Sequence, residues 1–400
     1  MPEKQPIVVM AKPVGSRCNM KCRYCYYLEK GRFSSHAVQS VMTTELLEKM
    51  IKETVEASPG PTVSFVWHGG EPTLAGIPFF RKALQLERRY LPAGWDAWNN
   101  LQTNGLLLDD EWVSFLSRHH FDVGISLDGS EAVHDLNRKD LGGRNTYARV
   151  KEAVERCLKG GIRPDLLCTV NSETVKHPLE VYKALRELNT GWIQFIPIMV
   201  REENGPVVSA NAPGVHLSKE SITPDEYGDF LTAVFDEWVT HDIGACDVQF
   251  FAEMAHVLAG QPASLCWMAP TCGRVLIAEE DGAVYACDHF VDDEHRLGYL
   301  KDESLQALSE KEEQQAFGAG KKDALTAECR QCPYLSVCNG ACPKDRYALS
   351  KDQEPGQYFL CPGLKKFFAH AITPMVRVMG WTKDGMEPDK VMRRVRRLLE

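Results

Sequence analysis

The feature that most constrains this chain is a run of three cysteines within eight residues, Cys18, Cys22 and Cys25, in the spacing CxxxCxxC. Thiolates so close together can ligate three irons of one four-iron, four-sulfur (4Fe–4S) cluster. The fourth iron is then left without a protein ligand and is open to a substrate or cofactor. Zinc with a distant fourth ligand is the alternative, although structural zinc prefers paired CxxC motifs. The spacing therefore favours an iron–sulfur cluster.

This run resembles the signature of the radical S-adenosylmethionine (SAM) superfamily, in which an aromatic residue precedes the last cysteine. Tyr24 holds that place in this chain. The resemblance implies SAM as a cofactor, bound at the open iron of the cluster.

The composition excludes several other classes of protein. A net charge of −9 argues against a nucleic-acid partner, which usually requires a basic face. No apolar run approaches the roughly 20 residues that span a bilayer, and the polar N-terminus lacks an apolar secretory core. Fourteen cysteines without a secretion signal indicate metal or redox chemistry rather than disulfides. We therefore expect a cytoplasmic protein with no membrane partner.

The first two hundred residues alternate short apolar strands with amphipathic helices. Strands are predicted over residues 7–12, 62–67, 98–102, 122–126, 165–170 and 192–197. Helices are predicted over residues 43–57, 77–91, 111–119, 147–159 and 178–188. Such alternation predicts an α/β fold with a parallel sheet and right-handed crossovers. Six repeats are too few for a complete eight-fold barrel, so we expect a partial (β/α)6 TIM-like barrel.

Polar, glycine-containing turns follow the first four predicted strands. They are the cysteine run and residues 68–72 (HGGEP), 103–105 (TNG) and 126–129 (SLDG). Glycine and asparagine often do no more than make a turn. Catalytic residues of such barrels, however, gather at the carboxyl ends of the strands, and four such turns at one end favour a site there.

The GGEP segment matches a motif of the same superfamily. Paired glycines allow close approach to the backbone. The resemblance implies that Gly70 and its neighbours bind the methionine amino group of SAM, with Glu71 as a charge partner.

Four further contacts to SAM follow from the resemblance alone. It implies that Ser126 and Arg138 contact the ribose and the methionine carboxylate, and that Tyr24 and Met199 pack near the adenine. Judged from the bare sequence, Arg138 could be an ordinary surface arginine and Met199 an ordinary core residue.

Eight cysteines follow residue 250, and they are too densely spaced for ordinary core residues. Residues 272–287 also predict a β-hairpin that turns at residues 280–282. The arrangement resembles the SPASM domain of peptide-modifying radical SAM enzymes, which carries auxiliary 4Fe–4S clusters. Spacing does not determine how the cysteines pair, and zinc ribbons remain an alternative. The resemblance implies one cluster on Cys266, Cys272, Cys287 and Cys342 and another on Cys329, Cys332, Cys338 and Cys361.

These interpretations predict a radical SAM partial barrel over residues 1–245, a SPASM domain over 246–375 and a helical tail over 376–400. The remaining cysteines, Cys157, Cys168 and Cys246, are expected in the core. Residues 203–220 are rich in Gly, Pro, Ser and Asn; they predict a surface loop, or alternatively a gate over the site.

Within SPASM proteins the resemblance narrows to the anaerobic sulfatase-maturating enzymes. It rests on residues 69–76 (GGEPTLAG), 101–105 (LQTNG), 126–129, 137–140, 285–288 and 296–298. That family is a group of radical SAM oxidoreductases that convert a Cys or Ser of a sulfatase to Cα-formylglycine.

The mechanism that this resemblance implies begins when the first cluster cleaves SAM reductively. The resulting 5′-deoxyadenosyl radical takes a hydrogen atom from the substrate Cβ, and loss of a proton and an electron completes the oxidation. The implied partners are an unfolded or nascent sulfatase peptide with a CxPxR or SxPxR motif, and a low-potential donor such as ferredoxin or flavodoxin.

The proton requires a base, and Asp288 is the candidate. It directly follows the implied ligand Cys287, and the family resemblance favours a carboxylate there as general base. A hydrogen-bonding role beside the cluster is the alternative, and His289 is a weaker candidate. Some family members have Gln where this chain has His68, so the substrate contact at that point stays open.

Two other functions compete with formylglycine formation. One is another SPASM reaction, thioether crosslinking or epimerisation of a ribosomal peptide. The other is a non-catalytic iron–sulfur or zinc module, against which the open-iron motif and the SAM-like turns argue.

Overall fold

A computed structural model describes residues 7–28, 30, 41–199, 201–202 and 216–399. Most of the predicted 203–220 loop lies outside the described residues. In the described part of the chain, no helix is both long and apolar enough to cross a membrane.

The strands in chain order are β1 Val8–Ala11, β2 Thr62–Trp67, β3 Asp96–Thr103, β4 Asp122–Ser126, β5 Asp165–Val170, β6 Trp192–Pro197, β7 Arg201–Glu202, β8 His216–Leu217, β9 Asp247–Val248, β10 Val275–Ala278, β11 Ala283–Tyr285, β12 Arg296–Tyr299, β13 Ala348–Leu349 and β14 Pro355–Gln357. The helices are α1 Thr44–Ala57, α2 Ile77–Tyr90, α3 Asp110–Arg118, α4 Glu131–Asn137, α5 Tyr147–Lys159, α6 Pro178–Arg186, α7 Pro224–His241, α8 Gln249–Leu258, α9 Leu305–Glu310, α10 Glu312–Asp323, α11 Ala327–Arg330, α12 Leu335–Cys338, α13 Cys361–Lys383 and α14 Pro388–Leu399.

The six predicted strands and the helices between them are confirmed, with ends that differ by at most two residues. β3 is longer than expected and runs over Asp96–Thr103, because every one of its first six residues finds a ladder partner on β2 or β4. Helix starts coincide with capping residues: the Thr43 and Asp109 side chains accept from the backbone of α1 and α3.

The chain divides into two compact units. The first comprises Met1–Ser126, Arg138–Pro164 and Cys272–Gly320, and the second Leu127–Asn137, Asp165–Thr271 and Lys321–Glu400.

In the first unit, β1 to β4 form a parallel sheet in chain order. The predicted hairpin is confirmed as β10 and β11, which pair antiparallel. β10 also pairs parallel to β1, with Val8 opposite Val275 and Ala11 opposite Ala278, a pairing that the sequence analysis did not predict. This pairing brings the hairpin and the residues after it into the same unit as the N-terminal cysteine run.

In the second unit, β5, β6 and β9 form a parallel sheet. Helices α7 and α13 cross where Gly228 meets Gly363; a Cβ added to Gly363 would lie 2.0 Å from the Pro224 carbonyl oxygen. Aromatic rings fill the space beside this crossing, with centroid separations near 5–6 Å: Phe235, Phe250, Phe251, Phe367 and Phe368. This packing fixes the start of α13, whose first residue is Cys361.

Candidate active site

The three cysteines of the first run lie on the loop that follows β1, and hydrogen-bond donors surround them. The Cys18 sulfur accepts from the backbone N–H of Met20 at 3.3 Å and from Nδ2 of Asn104 at 3.7 Å. Nη1 of Arg138 lies 3.9 Å from the Cys22 sulfur. Burial raises the pKa of Cys18 to about 11 and raises that of Cys25, while the Met20 and Asn104 hydrogen bonds and the Arg138 charge oppose the rise. These donors would stabilise the thiolate form in which cysteine binds a metal.

The paired glycines lie against the start of this loop. The backbone N–H of Gly70 donates to the Gly15 carbonyl at 2.8 Å, and a Cβ on Gly70 would lie 2.2 Å from the Arg17 carbonyl oxygen. Only glycine fits there. The HGGEP turn is thereby joined to the cysteine loop through the backbone, as the convergence of polar turns predicted.

Glu71 is fully buried, and its carboxylate accepts from four protein donors. Its Oε1 accepts from the backbone N–H of Thr73 at 3.1 Å and from the hydroxyls of Thr73 at 2.6 Å and Thr103 at 2.7 Å, and its Oε2 accepts from the backbone N–H of Asn104 at 2.7 Å. These bonds fill Oε1 and leave Oε2 one further lone pair. Burial nevertheless raises the pKa of Glu71, although the Asn104 and Thr bonds oppose that rise. Glu71 therefore joins the HGGEP turn to the TNG turn, a role that the sequence did not suggest.

The other residues predicted to contact SAM are distributed over both units. Arg138 is buried, and its guanidinium lies 5.6 Å from the centroid of the Tyr24 ring, so these two predicted residues are together beside the cysteine loop. Ser126 ends β4 and accepts from Nε2 of Gln102 at 3.2 Å. Met199 is buried in the second unit, after β6.

Asp288 is held from two sides by residues of the first unit. Nζ of Lys12 lies 2.5 Å from its Oδ1, and the Tyr26 hydroxyl donates to its Oδ2 at 2.5 Å. Lys12 has no exposed side-chain surface, and its Nζ also lies 4.3 Å from the Tyr27 ring centroid. Burial alone would raise the pKa of Asp288, but the Lys12 ammonium, aided by His68 and His289, holds that pKa well below its usual range. The carboxylate is therefore ionised and fixed in orientation.

His68 belongs to the same network. Burial first, and the Lys12 ammonium second, lower the pKa of His68 to about 4, so the ring is neutral at neutral pH. Its Nδ1 faces Nζ of Lys12 at 3.1 Å and the backbone N–H of Gly69 at 2.7 Å. Because both partners are donors, Nδ1 is the acceptor and the ring proton is on Nε2.

The sequence analysis missed Lys12 and Tyr26, and it missed a contact between Tyr27 and the acidic residue Glu279. The Tyr27 hydroxyl donates to Glu279, and burial raises the pKa of Glu279 to about 8. One signal was available: Lys12 is the last residue of the predicted apolar strand over residues 7–12, and a lysine that is buried requires a partner.

In the second unit, four cysteines line one cavity: Cys329, Cys332, Cys338 and Cys361. This is the set that the resemblance assigned to one auxiliary cluster. Burial, and then the neighbouring Cys361 and Cys329 thiolates, raise the pKa of Cys338 to about 12. A thiol with so high a pKa loses its proton only when a cation binds beside it, and the irons of an iron–sulfur cluster would supply that cation.

The other implied ligand set is divided between the units: Cys272 and Cys287 belong to the first, Cys266 and Cys342 to the second. In the second unit a buried lysine orders the Cys266 segment. Nζ of Lys321 donates to the carbonyls of Cys266 at 2.7 Å and Trp267 at 2.8 Å. Among the described residues, no group of three or more Cys, His, Asp or Glu side chains is close enough together to ligate a single metal ion. The fit to iron–sulfur clusters therefore rests on donor chemistry, thiolates with N–H and cationic neighbours.

The model of the radical SAM superfamily matches residues 13–185, and that of an iron–sulfur cluster-binding domain, SPASM, matches residues 272–333. A serine-type anaerobic sulfatase-maturating enzyme of Bacteroides thetaiotaomicron is 37% identical over 92% of this chain and 90% of its own. The cysteine-type enzyme of Clostridium perfringens is 33% identical over 93% of this chain and 98% of its own. This chain belongs to the anaerobic sulfatase-maturating enzymes.

Solved structures agree with this membership. The structure of anSMEcpe with bound AdoMet and Cp18Cys peptide matches with a TM-score of 0.82 at 33% identity, over 94% of this chain and 99% of that one. The SuiB structure from Streptococcus suis, bound to its precursor peptide SuiA, has a TM-score of 0.59 at 13% identity, which shows a shared fold alone. The predicted α/β class with a radical SAM domain and a SPASM domain is confirmed for this sulfatase-maturating enzyme.

The variant Glu71→Gln would disturb the four hydrogen bonds that the Glu71 carboxylate accepts. In Glu71→Gln, an NH2 group replaces one oxygen and faces donors instead of accepting from them, so buried polar groups lose their partners. We expect the free energy of unfolding to fall by about 1–3 kcal/mol, with weakened SAM binding, measured by urea unfolding and equilibrium dialysis.

Glu87→Gln is the matched control. Glu87 is also buried, but its Oε2 accepts from Asn99 at 3.0 Å while its Oε1 has no hydrogen-bond partner among the described residues, and burial raises its pKa to about 7. Because the folded state holds its proton more tightly than the unfolded state does, wild type loses stability as the pH rises from about 4.5 to about 7. Glu87→Gln should therefore be more stable than wild type at pH 8 and similar to it at pH 4. An equal fall in the free energy of unfolding in Glu71→Gln and Glu87→Gln at pH 8 would contradict the stabilising role given to the Glu71 hydrogen bonds.

Proposed function

We propose that this enzyme oxidises a Cys or Ser residue of a sulfatase peptide to Cα-formylglycine without oxygen. Relatives named as serine-type and cysteine-type sulfatase-maturating enzymes match over more than nine-tenths of the chain. The observation in this chain that carries the proposal is Asp288, a carboxylate with 15% of its side-chain surface exposed, held between Lys12 and Tyr26 and directly after Cys287.

The proposed cofactors are SAM and three 4Fe–4S clusters. The donor set fits: Cys18, Cys22 and Cys25 would hold the SAM-binding cluster, and the two sets of four later cysteines would hold the auxiliary ones. When bound, SAM and the first cluster supply a carbon-centred radical that removes a hydrogen atom from the substrate Cβ. Gly70, Ser126, Arg138, Tyr24 and Met199 are the proposed SAM contacts.

Asp288 is the proposed general base for the Oγ or Sγ proton of the substrate residue. Its carboxylate is ionised because Lys12 is beside it, so it is ready to accept a proton. The same ammonium makes it a weak base. A weak base suffices, because an OH or SH group becomes more acidic once the adjacent carbon has lost its hydrogen atom and the charge can delocalise onto it.

His68 is the proposed orienting donor for the substrate. Its Nδ1 is occupied by Lys12 and Gly69, which leaves the Nε2 proton available on a half-buried ring. An N–H donor can bind a peptide carbonyl or a serine oxygen, as the amide of a Gln at this position also could.

The proposed partners are a sulfatase peptide in an extended, unfolded form and a low-potential electron donor such as ferredoxin or flavodoxin. A CxPxR or SxPxR motif on the peptide suits the acidic balance of the chain, which has 55 acidic and 46 basic residues. Structures of anSMEcpe include one with the Cp18Cys peptide and one with the Kp18Cys peptide.

The deciding test of function is an anaerobic incubation of the reconstituted enzyme with SAM, dithionite and a peptide that carries a CxPxR motif. We expect formylglycine by mass spectrometry, and a SxPxR peptide to lose two hydrogen atoms if it is also a substrate. An AxPxR peptide is the control and should stay unmodified. A crosslinked or epimerised product, or unchanged Cys and Ser peptides with SAM cleavage intact, would reject formylglycine formation.

Asp288→Asn tests the base. The side chain keeps its size but no longer accepts a proton at neutral pH. Because general bases contribute about 10²–10⁴-fold, formylglycine formation should fall by that factor while 5′-deoxyadenosine is still produced. Both products are quantified in one anaerobic reaction, with iron content checked. Wild-type formylglycine yield with intact clusters would exclude Asp288 as the base.

A further inference from the structure

A glutamine side chain enters the cavity that the four cysteines of the second unit line. Gln357 is the last residue of β14 and only 4% exposed. Its Nε2 donates to the Cys361 sulfur at 2.9 Å. Nothing in the spacing of the cysteines pointed to this residue.

A threonine fixes which end of the Gln357 amide faces the sulfur. Oγ1 of Thr326 accepts the backbone N–H of Cys329 at 3.2 Å and donates its own proton to Oε1 of Gln357 at 2.7 Å. A hydroxyl has one proton to give. Here that proton goes to the amide oxygen, so the amide oxygen faces Thr326 and the amide nitrogen faces Cys361.

The bond to Cys361 is the one that survives metal binding. The Cys329 thiol donates to the Gln357 oxygen at 3.3 Å, and this bond disappears when Cys329 loses its proton to become a ligand. The Cys361 sulfur accepts from Gln357, and a thiolate bound to iron keeps lone pairs for that purpose. Cys361 is also the first residue of the 23-residue helix α13, where the helix dipole favours negative charge.

A neighbouring cation has its own partner. Lys365, one turn further along α13, lies with Nζ 2.5 Å from Oε1 of Glu328. Its charge is therefore largely compensated by that carboxylate. The Gln357 N–H is the directed polar contact to the Cys361 sulfur.

We propose that Gln357 is a positioning residue that raises the reduction potential of the cluster ligated by Cys329, Cys332, Cys338 and Cys361. Reduction adds one negative charge, which is shared by the cluster sulfurs. An N–H donor to a ligand sulfur stabilises the reduced form more than the oxidised form, and hydrogen bonds to sulfur are one of the levers that set such potentials. The inference rests on the proposed function in one respect, that these cysteines hold a 4Fe–4S cluster.

The test is a redox titration of the full reconstituted chain, followed by electron paramagnetic resonance. In Gln357→Leu one reduction wave should move to more negative potential. We expect about a tenfold lower ratio of reduced to oxidised cluster at a fixed potential, equivalent to about 59 mV for one electron. Cys361→Ala should abolish that same wave, which assigns it to this cluster.

Two further variants make the result decisive. Gln357→Glu has the same shape but places an anion beside the sulfur, so its reduction wave should lie at a still more negative potential. If Gln357→Leu loses iron, the potential measured in Gln357→Glu tests the role of Gln357. Gln314→Leu is the matched control: Gln314 is a buried glutamine of the first unit whose Nε2 donates to the Gly273 carbonyl at 3.0 Å. Its loss should leave the wave of the Cys361 cluster unchanged.

The outcome that overturns the inference is a wave that stays at its wild-type potential in Gln357→Glu while the iron content is full. Full content is about twelve irons per chain for three clusters. A wild-type chain that binds about eight irons and lacks the wave dependent on Cys361 would instead reject the cluster assignment on which the proposal rests. The reduction potential thus tests the role of Gln357, and the iron content tests the cluster assignment separately.

Discussion

The buried ion pair between Lys12 and Asp288 is the interaction on which the proposed active site depends. It joins residues 276 positions apart in the sequence, the end of β1 and the segment after the β10–β11 hairpin. Removing a lysine or a carboxylate from water costs several kcal/mol of free energy. Without its partner, either group would keep that cost uncompensated. The pair is tolerated because Tyr26 binds the other carboxylate oxygen, while His68 and the Tyr27 ring contact the ammonium. The parallel pairing of β10 with β1 is what brings the hairpin and the cysteine loop into one unit.

Residues outside the proposed ligand sets hold the segments around the proposed sites in place. Glu71 joins two turns through four hydrogen bonds, and Lys321 holds the carbonyls beside Cys266. Gln357 and Thr326 form a directed pair next to Cys361. In each case a buried polar group is satisfied by protein partners, so its position is defined before any cofactor binds. Such neighbours are typical of metal sites, where they orient the ligands and tune the metal.

The sequence predicted the strands and helices well because their apolar periodicity is regular; β2, β4, β5 and β6 have the expected ends. It also predicted the convergence of the polar turns, since parallel strands end at one edge of a sheet. It did not predict the role of Glu71, because a motif gives the residue type but not its hydrogen-bond partners. Lys12 was missed because a lysine at a strand end usually reaches solvent. Gln357 was missed because glutamine is not a cluster ligand, so the spacing pattern of the cysteines does not include it. The pairing of β10 with β1 was missed because it joins strands far apart in the chain.

The most direct test of this account is a double-mutant cycle on the buried pair, using Lys12→Met, Asp288→Asn and the double variant. The quantity measured is formylglycine formed per 5′-deoxyadenosine, in chains with matched iron content. If Lys12 acts through Asp288, the double variant should lose no more than Asp288→Asn alone, because the lysine has no further role once the carboxylate is gone. Losses that multiply, so that the double variant falls by the product of the two single effects, would contradict the account.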